Sequence, residues 1–241
     1  MKIRTIDSGS KGNCYLLVDD ADNMLMLEAG VNFARVKQST DFNIATIKGC
    51  LITHEHGDHA GFAADVLKTN IPVYCTAGTA RHIKTARHEP NIVAYDEINS
   101  AGPFVFSAFR VPHDADEPCG WLIYHPEYGM IMFATDTAQL RHRTNGIATF
   151  LIECNYDPDR LNQNVRSGVI APERATRTRK SHMSVYDTCE FLRANVDNLT
   201  RNVILCHLSS QNADAGQMAD YVHRETNLPV QVAAAGTEIE L

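Results

Sequence analysis

The stretch LITHEHGDHAG, residues 51–61, sets three histidines and an aspartate within six positions, directly after an apolar run. Imidazoles and carboxylates are costly to bury unpaired, so a chain that ends a buried strand this way needs a counter-charge there. A divalent cation supplies one. On an extended or turning backbone alternate side chains share a side, so His54 and His56 can reach one ion while Asp58 and His59 serve a second. Imidazole nitrogen and carboxylate oxygen are donors that zinc and similar divalent ions accept. Repulsion between two such cations calls for a bridging anion, an aspartate plus a hydroxide. Three further donors stand at the ends of apolar runs: His113 after FRVP, Asp136 after IMFAT and His207 after VILC. Each alone reads equally as a satisfied core or rim residue, but loops at strand ends are where sheets assemble sites.

The runs that lead into these residues recur along the chain. CYLLV (14–18), MLML (24–27), CLIT (50–53), VYC (73–75), FVFSAFRV (104–111), WLIYH (121–125), GMIMFAT (129–135), FLIEC (150–154) and NVILCH (202–207) read as strands, several apolar throughout, as when a sheet is covered on both faces. Helical patterns fall near 61–69, 77–88, 184–195 and 213–226, the last with Ala215, Met218, Ala219 and Val222 at helical spacing. Strands with interspersed helices and a doubly covered sheet predict a layered α/β sandwich. With no repeat or Pro/Gly linker, one domain over residues 1–241 is expected.

Seven scattered cysteines without a CxxC pair read as reduced core thiols. MKIRTIDSGS lacks a signal peptide's apolar core, and no run approaches the roughly 18 apolar residues of a membrane span. A soluble, cytoplasmic protein is the expectation. The net charge of −7 gives no bulk attraction to nucleic acid or an anionic membrane. Against that background residues 158–184 stand out, with Arg160, Arg166, Arg174, Arg177, Arg179 and Lys180. They read either as a solvated surface loop or as a mobile basic arm at the active site that grips an anionic substrate.

THEHGDH with downstream His, Asp and His resembles the metallo-β-lactamase superfamily, an αββα sandwich with a dinuclear metal site. SGSKGNCYLL, HDADEP (113–118), TDT (135–137), ECNYD (153–157) and CHLSSQN (206–212) follow the pattern of its YycJ/WalJ-like branch. That branch is similar to RNase Z and to phage phosphodiesterases that degrade cyclic nucleotide signals. The resemblance implies that His54, His56 and His113 hold one metal, that Asp58, His59 and His207 hold the other, and that Asp136 bridges. It implies two divalent cations, zinc or manganese, and allows a homodimer. The superfamily's oxidoreductases carry an acidic residue at the position of His56, so the histidine favours hydrolysis. His182, in KSHMS, matches the family's general acid, and Glu153 matches the acidic residue that pairs with it. Asp58 can double as ligand and local base. Gly57, Ala138, Glu28 and the residues flanking His182 depart from the family pattern; they leave every expected ligand in place and bear on the substrate.

The SGSKGN loop lacks P-loop spacing. Gly9 and Gly12 would let backbone N–H groups approach an anion, or they form only a tight hairpin; Ser8, Ser10 and Asn13, with Arg177, Arg179 and Lys180, are the candidate substrate-binding residues. Asp114, Asp116 and Glu117 either offset the metal charge or tune the imidazoles. His82, His88, His125, His142 and His223 read as structural or surface residues. The expected function is a phosphodiesterase using a metal-bridging hydroxide, a nuclease acting on DNA from a 5′ end, with a cyclic-nucleotide phosphodiesterase as the alternative. A thioester, lactone or lactam hydrolase has no need of a cationic arm. A module with purely structural metals would favour a cysteine-rich ligand set.

Overall fold

The computed structural model describes residues 1–84 and 88–241. The first of two seven-stranded sheets contains β1 (Lys2–Asp7), β2 (Cys14–Val18), β3 (Met24–Leu27), β4 (Ile47–Leu51), β5 (Val73–Cys75) and β6 (Asn91–Ile92). The second contains β7 (Asn99–Ala101), β8 (Phe104–Arg110), β9 (Cys119–His125), β10 (Gly129–Ala134), β11 (Ile147–Glu153), β12 (Asn202–Cys206) and β13 (Val230–Val232). The last strand, β14 (Glu238–Glu240), returns to the edge of the first sheet beside β1. Each sheet is antiparallel on one side and parallel on the other, with the change at β3 in the first and at β10 in the second.

The helices are α1 (Phe33–Ser39), α2 (Gly57–Ala60), α3 (Ala63–Leu67), α4 (Ala77–His82), α5 (Pro158–Arg166), α6 (Pro172–Ser181), α7 (Val185–Asn195) and α8 (Ala215–Thr226). Three apolar layers alternate with the elements. Leu17, Leu27, Trp121, Phe133 and Leu151 pack between the sheets. Leu16, Met26 and Ile52 face the other way, against Val36 of α1 and Val66 of α3. Phe150, Ile152 and Leu205 pack against Leu192 of α7 and Val222 of α8. Successive strand residues thus feed opposite layers, which is why these strands are apolar without alternation. The result is the αββα sandwich.

Residues 158–184 are not a loop. They fold as α5 and α6. Asp157 caps α5, accepting from Asp159 N, and a proline opens each helix where its missing N–H costs nothing. Leu161, Ile170 and Ala175 close onto Tyr156 as a small separate cluster. The helix expected over 77–88 ends at His82 in its described part; residues 85–87 lie outside the described residues. No helix among the described residues is long and apolar enough to cross a membrane.

Candidate metal centre

Every expected ligand leaves the end of a strand at one edge of the sandwich. His54 to His59 follow β4, His113 follows β8, Asp136 follows β10 and His207 follows β12. The turn that carries Asp58 presses against Gly30: a Cβ there would lie 1.7 Å from the Asp58 carbonyl oxygen, so only glycine admits the approach. Gly12 packs on the other side of the same junction, where a Cβ would lie 2.6 Å from the Gly30 carbonyl. Of the SGSKGN glycines, Gly12 therefore serves close packing of backbones. The conformation of two expected ligands is itself unusual, since Asp136 (φ 44°) and His207 (φ 54°) sit in the left-handed region.

The side chains converge as two clusters, His54/His56/His113 and Asp58/His59/Asp136/His207, each with one candidate ligand atom per residue inside 4.8 Å. His54 Nε2 and His113 Nε2 lie 3.1 and 3.2 Å from His56 Nδ1. Asp136 stands between the groups. Its Oδ1 is 3.4 Å from His59 Nε2 and 3.2 Å from His207 Nε2, and its Oδ2 is 3.9 and 3.8 Å from His54 and His113 Nε2.

Proton bookkeeping shows that this donor set fits a metal. Gly9 N–H donates to Asn13 Oδ1 at 2.9 Å, which fixes that atom as the oxygen, so His207 Nδ1–H donates to it at 3.0 Å. Burial holds His207 below its ordinary value, against the pull of Asp136, so the ring is neutral. Its Nε2 therefore aims a lone pair at a carboxylate oxygen 3.2 Å away. Two acceptors face each other, and a cation relieves that arrangement. His54 repeats the pattern. Thr53 gives its one proton to Glu28 Oε1 at 2.6 Å, so His54 Nδ1–H donates to Thr53 Oγ1 at 3.0 Å and Nε2 turns a lone pair into the cluster. Burial, reinforced by the His59 ring, keeps His54 well below its ordinary value. His59 goes the other way: burial opposes its charge, but Asp136 and Glu28 draw it well above. Burial would raise Asp136, yet His207 and His59 hold it well below the usual carboxylate range. The centre is short of positive charge.

Beside the ligands, His182 Nδ1–H donates to Glu153 Oε1 at 2.6 Å. The other Glu153 oxygen accepts from the amides of Thr137 and Met183 at 3.1 and 3.2 Å, so this fully buried carboxylate ties two loops to the end of β11. Burial disfavours a charged His182, but the Glu153 carboxylate outweighs it and raises the ring to about 9. The His182 and His207 rings stack 5.4 Å apart.

A cleft of about 340 Å³ opens over the expected ligands His56, Asp58, His113, Asp136 and His207 and over His182. Of the expected substrate-binding residues, Ser10 and Arg177 line it. Ser8 and Asn13 lie behind the ligands: Ser8 Oγ accepts from His207 N at 2.9 Å, and Asn13 is fully buried. Arg179 turns to Asn162 Oδ1 at 2.7 Å, and Lys180 lies outside the cleft, next to Glu173. Arg174, one of the cationic residues of the basic segment, lines it too, as do Thr178, Asn155, Ser209 and Asn212, which were not among the candidate substrate-binding residues. Asp114 approaches His113 Nε2 at 3.4 Å and Arg177 at 3.5 Å, while Asp116 pairs with Arg81 and His82 and Glu117 accepts from Gly78 N. His125 pairs with Asp19, His142 packs on Phe109 and His223 meets the Leu228 carbonyl; none of them lines the cleft.

Residues 24–208 match the family described as Beta-lactamase superfamily domain, and the chain belongs to that superfamily. Exodeoxyribonuclease YycJ of Bacillus anthracis is 26% identical over 85% of this chain and 81% of its own length. Exodeoxyribonuclease WalJ of Streptococcus pneumoniae serotype 2 is 25% identical over 88% and 82%. The fold is shared along the entire chain with zinc-bound PqqB of Methylobacterium extorquens, at a TM-score of 0.76, 16% identity and full coverage of both chains.

Proposed function

We propose that the chain is a metal-dependent phosphodiesterase that degrades DNA from a 5′ end. His54, His56 and His113 would hold one divalent cation, zinc or manganese, Asp58, His59 and His207 a second, and Asp136 would stand between them. When bound, such a pair activates water at neutral pH and offsets charge on the phosphoryl oxygens.

The observation that carries the reading is the His182–Glu153 pair on the rim of a cleft floored by the ligands and edged by Arg174 and Arg177. Glu153 holds Nδ1 and favours the imidazolium, so Nε2 keeps a proton to give to a departing alkoxide. Asp58, whose side chain is 26% exposed, lines the same cleft and can take the proton of the attacking water. Arg174 and Arg177 supply donors suited to phosphate oxygens; an uncharged thioester or lactone would leave them without a task. The exodeoxyribonuclease relatives point to DNA. The cleft volume, at the small end of ligand sites, also suits a single nucleotide and so keeps a 3′,5′-cyclic nucleotide as the second reading.

Metal-loaded protein is assayed on 5′-labelled duplex and single-stranded DNA and on 3′,5′-cyclic nucleotides, with Asp58→Ala as the blank. Mononucleotide release from DNA is the expected result. Turnover of the cyclic nucleotides alone selects the second reading, and no turnover of any phosphodiester refutes both.

A further inference from the structure

Two largely buried carboxamides on the cleft wall are only half used within the protein. Asn212, 3% exposed, accepts at Oδ1 from Asn164 Nδ2 at 2.9 Å. Asn164 Nδ2 also donates to the Gln211 carbonyl at 3.0 Å, so it is the amide nitrogen and the Asn212 atom that faces it is the oxygen. The Asn212 Nδ2 donors are thereby turned elsewhere, and they meet no partner among the described residues. Asn155, 6% exposed, is the converse: Nδ2 donates to the His207 carbonyl at 2.9 Å, which leaves Oδ1 without a partner among the described residues. Both side chains line the cleft. The rest of each side chain is held by the protein, so its free amide atom is pre-positioned at the cleft for a ligand to meet.

The neighbours define that ligand. Ser209 Oγ accepts from Asn212 N at 3.2 Å, so its own proton is free to be donated. Arg174 reaches the cleft from α6, and its guanidinium has no acidic partner among the described residues. An amide, a hydroxyl and a guanidinium are the donors that bind phosphate oxygens. Asn155 Oδ1 turns an anion away from its own position and suits a sugar hydroxyl. Asn155 is bonded to the backbone of His207, whose ring stacks on His182. This wall therefore borders the departing group.

We propose that Asn212, Ser209 and Arg174 form a second phosphate subsite, which holds the phosphate next to the scissile one on the leaving-group side. The proposal rests on the phosphodiesterase reading and narrows it: the substrate is a nucleotide chain with neighbouring phosphates, since a 3′,5′-cyclic mononucleotide has no second phosphate to offer.

The metal-loaded full chain is assayed on a dinucleotide, on the same dinucleotide carrying an added 5′- or 3′-phosphate, and on bis(4-nitrophenyl) phosphate. One of the two phosphorylated dinucleotides is expected to exceed the unmodified one in kcat/KM by about tenfold or more, the scale of a hydrogen bond to a charged group. Arg174→Ala and Asn212→Asp each shrink that ratio by about tenfold. Asn212→Asp is the stringent variant, because it keeps the acceptor for Asn164 and places an anion where the donor was. Binding gives a readout without turnover: a deoxynucleoside 3′,5′-bisphosphate binds more tightly than the 5′-monophosphate, and Asn212→Asp abolishes the advantage. Equal ratios in wild type and variants overturn the subsite. Failure of the wild type to cleave bis(4-nitrophenyl) phosphate and the unmodified dinucleotide overturns the phosphodiesterase reading instead, and the bisphosphate measurement still judges the subsite.

Discussion

Replacing Glu153 by glutamine removes one charge and almost no volume. The Glu153 carboxylate accepts from His182 with one oxygen and from the Thr137 and Met183 amides with the other. Glutamine has one oxygen to offer. Keeping it on the two backbone amides avoids leaving buried N–H groups unpaired, at about 1–3 kcal/mol each. The new NH2 group then faces His182 Nδ1 and fixes the ring as the neutral tautomer with its proton on Nε2. Glu153 holds the buried ring at about 9 rather than 6.5, worth about 3 kcal/mol in favour of the imidazolium. Without the carboxylate, burial is the largest influence left on the ring and pushes it down, helped by His59 and opposed by Asp136. Turnover falls by ~10²-fold, the scale of losing a general acid, and the alkaline limb of kcat moves to lower pH. Bound cations lower the limb in both proteins, so the difference between the two profiles is what carries the test. Stability gives a second reading. A folded value above the unfolded one means the pair's contribution is complete below pH 6.5 and is lost as pH rises through about 9. The gap in Tm between metal-free wild type and Glu153→Gln therefore closes across that window. Identical alkaline limbs with matched metal content would refute the role of the pair.

Asp136→Asn keeps a residue that tolerates the left-handed backbone and removes the charge that stands between the two clusters; bound metal, read by elemental analysis, falls while the fold, read by circular dichroism, is retained. Metal affinity weakens as pH falls, and more steeply than for a site of ordinary imidazoles, because the proton that Asp136 and Glu28 draw onto His59 competes with the cation; titration calorimetry in buffers of different ionisation enthalpy detects the released proton. Leu161→Ala empties the centre of the small cluster beneath α5 and α6, at about 2–5 kcal/mol; the loss shows as faster hydrogen exchange over residues 158–181 and a higher KM, with the strands of the sandwich still protected.

The strands that pack two layers were legible because a residue pair such as Leu16 and Leu17 must be apolar on both sides. The strands at one end of the first sheet were not: β14, at its edge, reads EIE and β1 beside it reads KIRTID, short alternations of charged and apolar residues. The helices of residues 158–181 were hidden by composition. Their apolar contribution is a few side chains against Tyr156, and the signals that were present, Asp157 and the two prolines, are weak alone. That omission shaped the choice of cationic residues. On a helix, positions i, i+3, i+4 and i+7 share a face, and Arg174, Arg177, Thr178 and Ser181 are the α6 residues that line the cleft. Read as a loop, the segment made Arg179 and Lys180 look equal to Arg177; read as a helix, it assigns Arg174 instead.

Backbone strain was the least legible part of the site. Glu28, Asp136 and His207 all take left-handed φ values, 66°, 44° and 54°, a conformation that costs a residue with a Cβ roughly 1–2 kcal/mol. Nothing in their codes announces it. Local context holds each in place: Glu28 N–H donates to the Leu51 carbonyl at 2.9 Å, Thr135 Oγ1 donates to Asp136 Oδ1 at 3.0 Å, and His207 N–H donates to Ser8 Oγ at 2.9 Å. Ser8 and Asn13, candidates for substrate contact from sequence, thus hold the His207 backbone and ring respectively. Strain of this kind persists only where the surroundings over-determine it. Its presence at two of the proposed ligands, and at the carboxylate 3.5 Å behind a third, His59, puts the strain where a cation held as proposed would offset it.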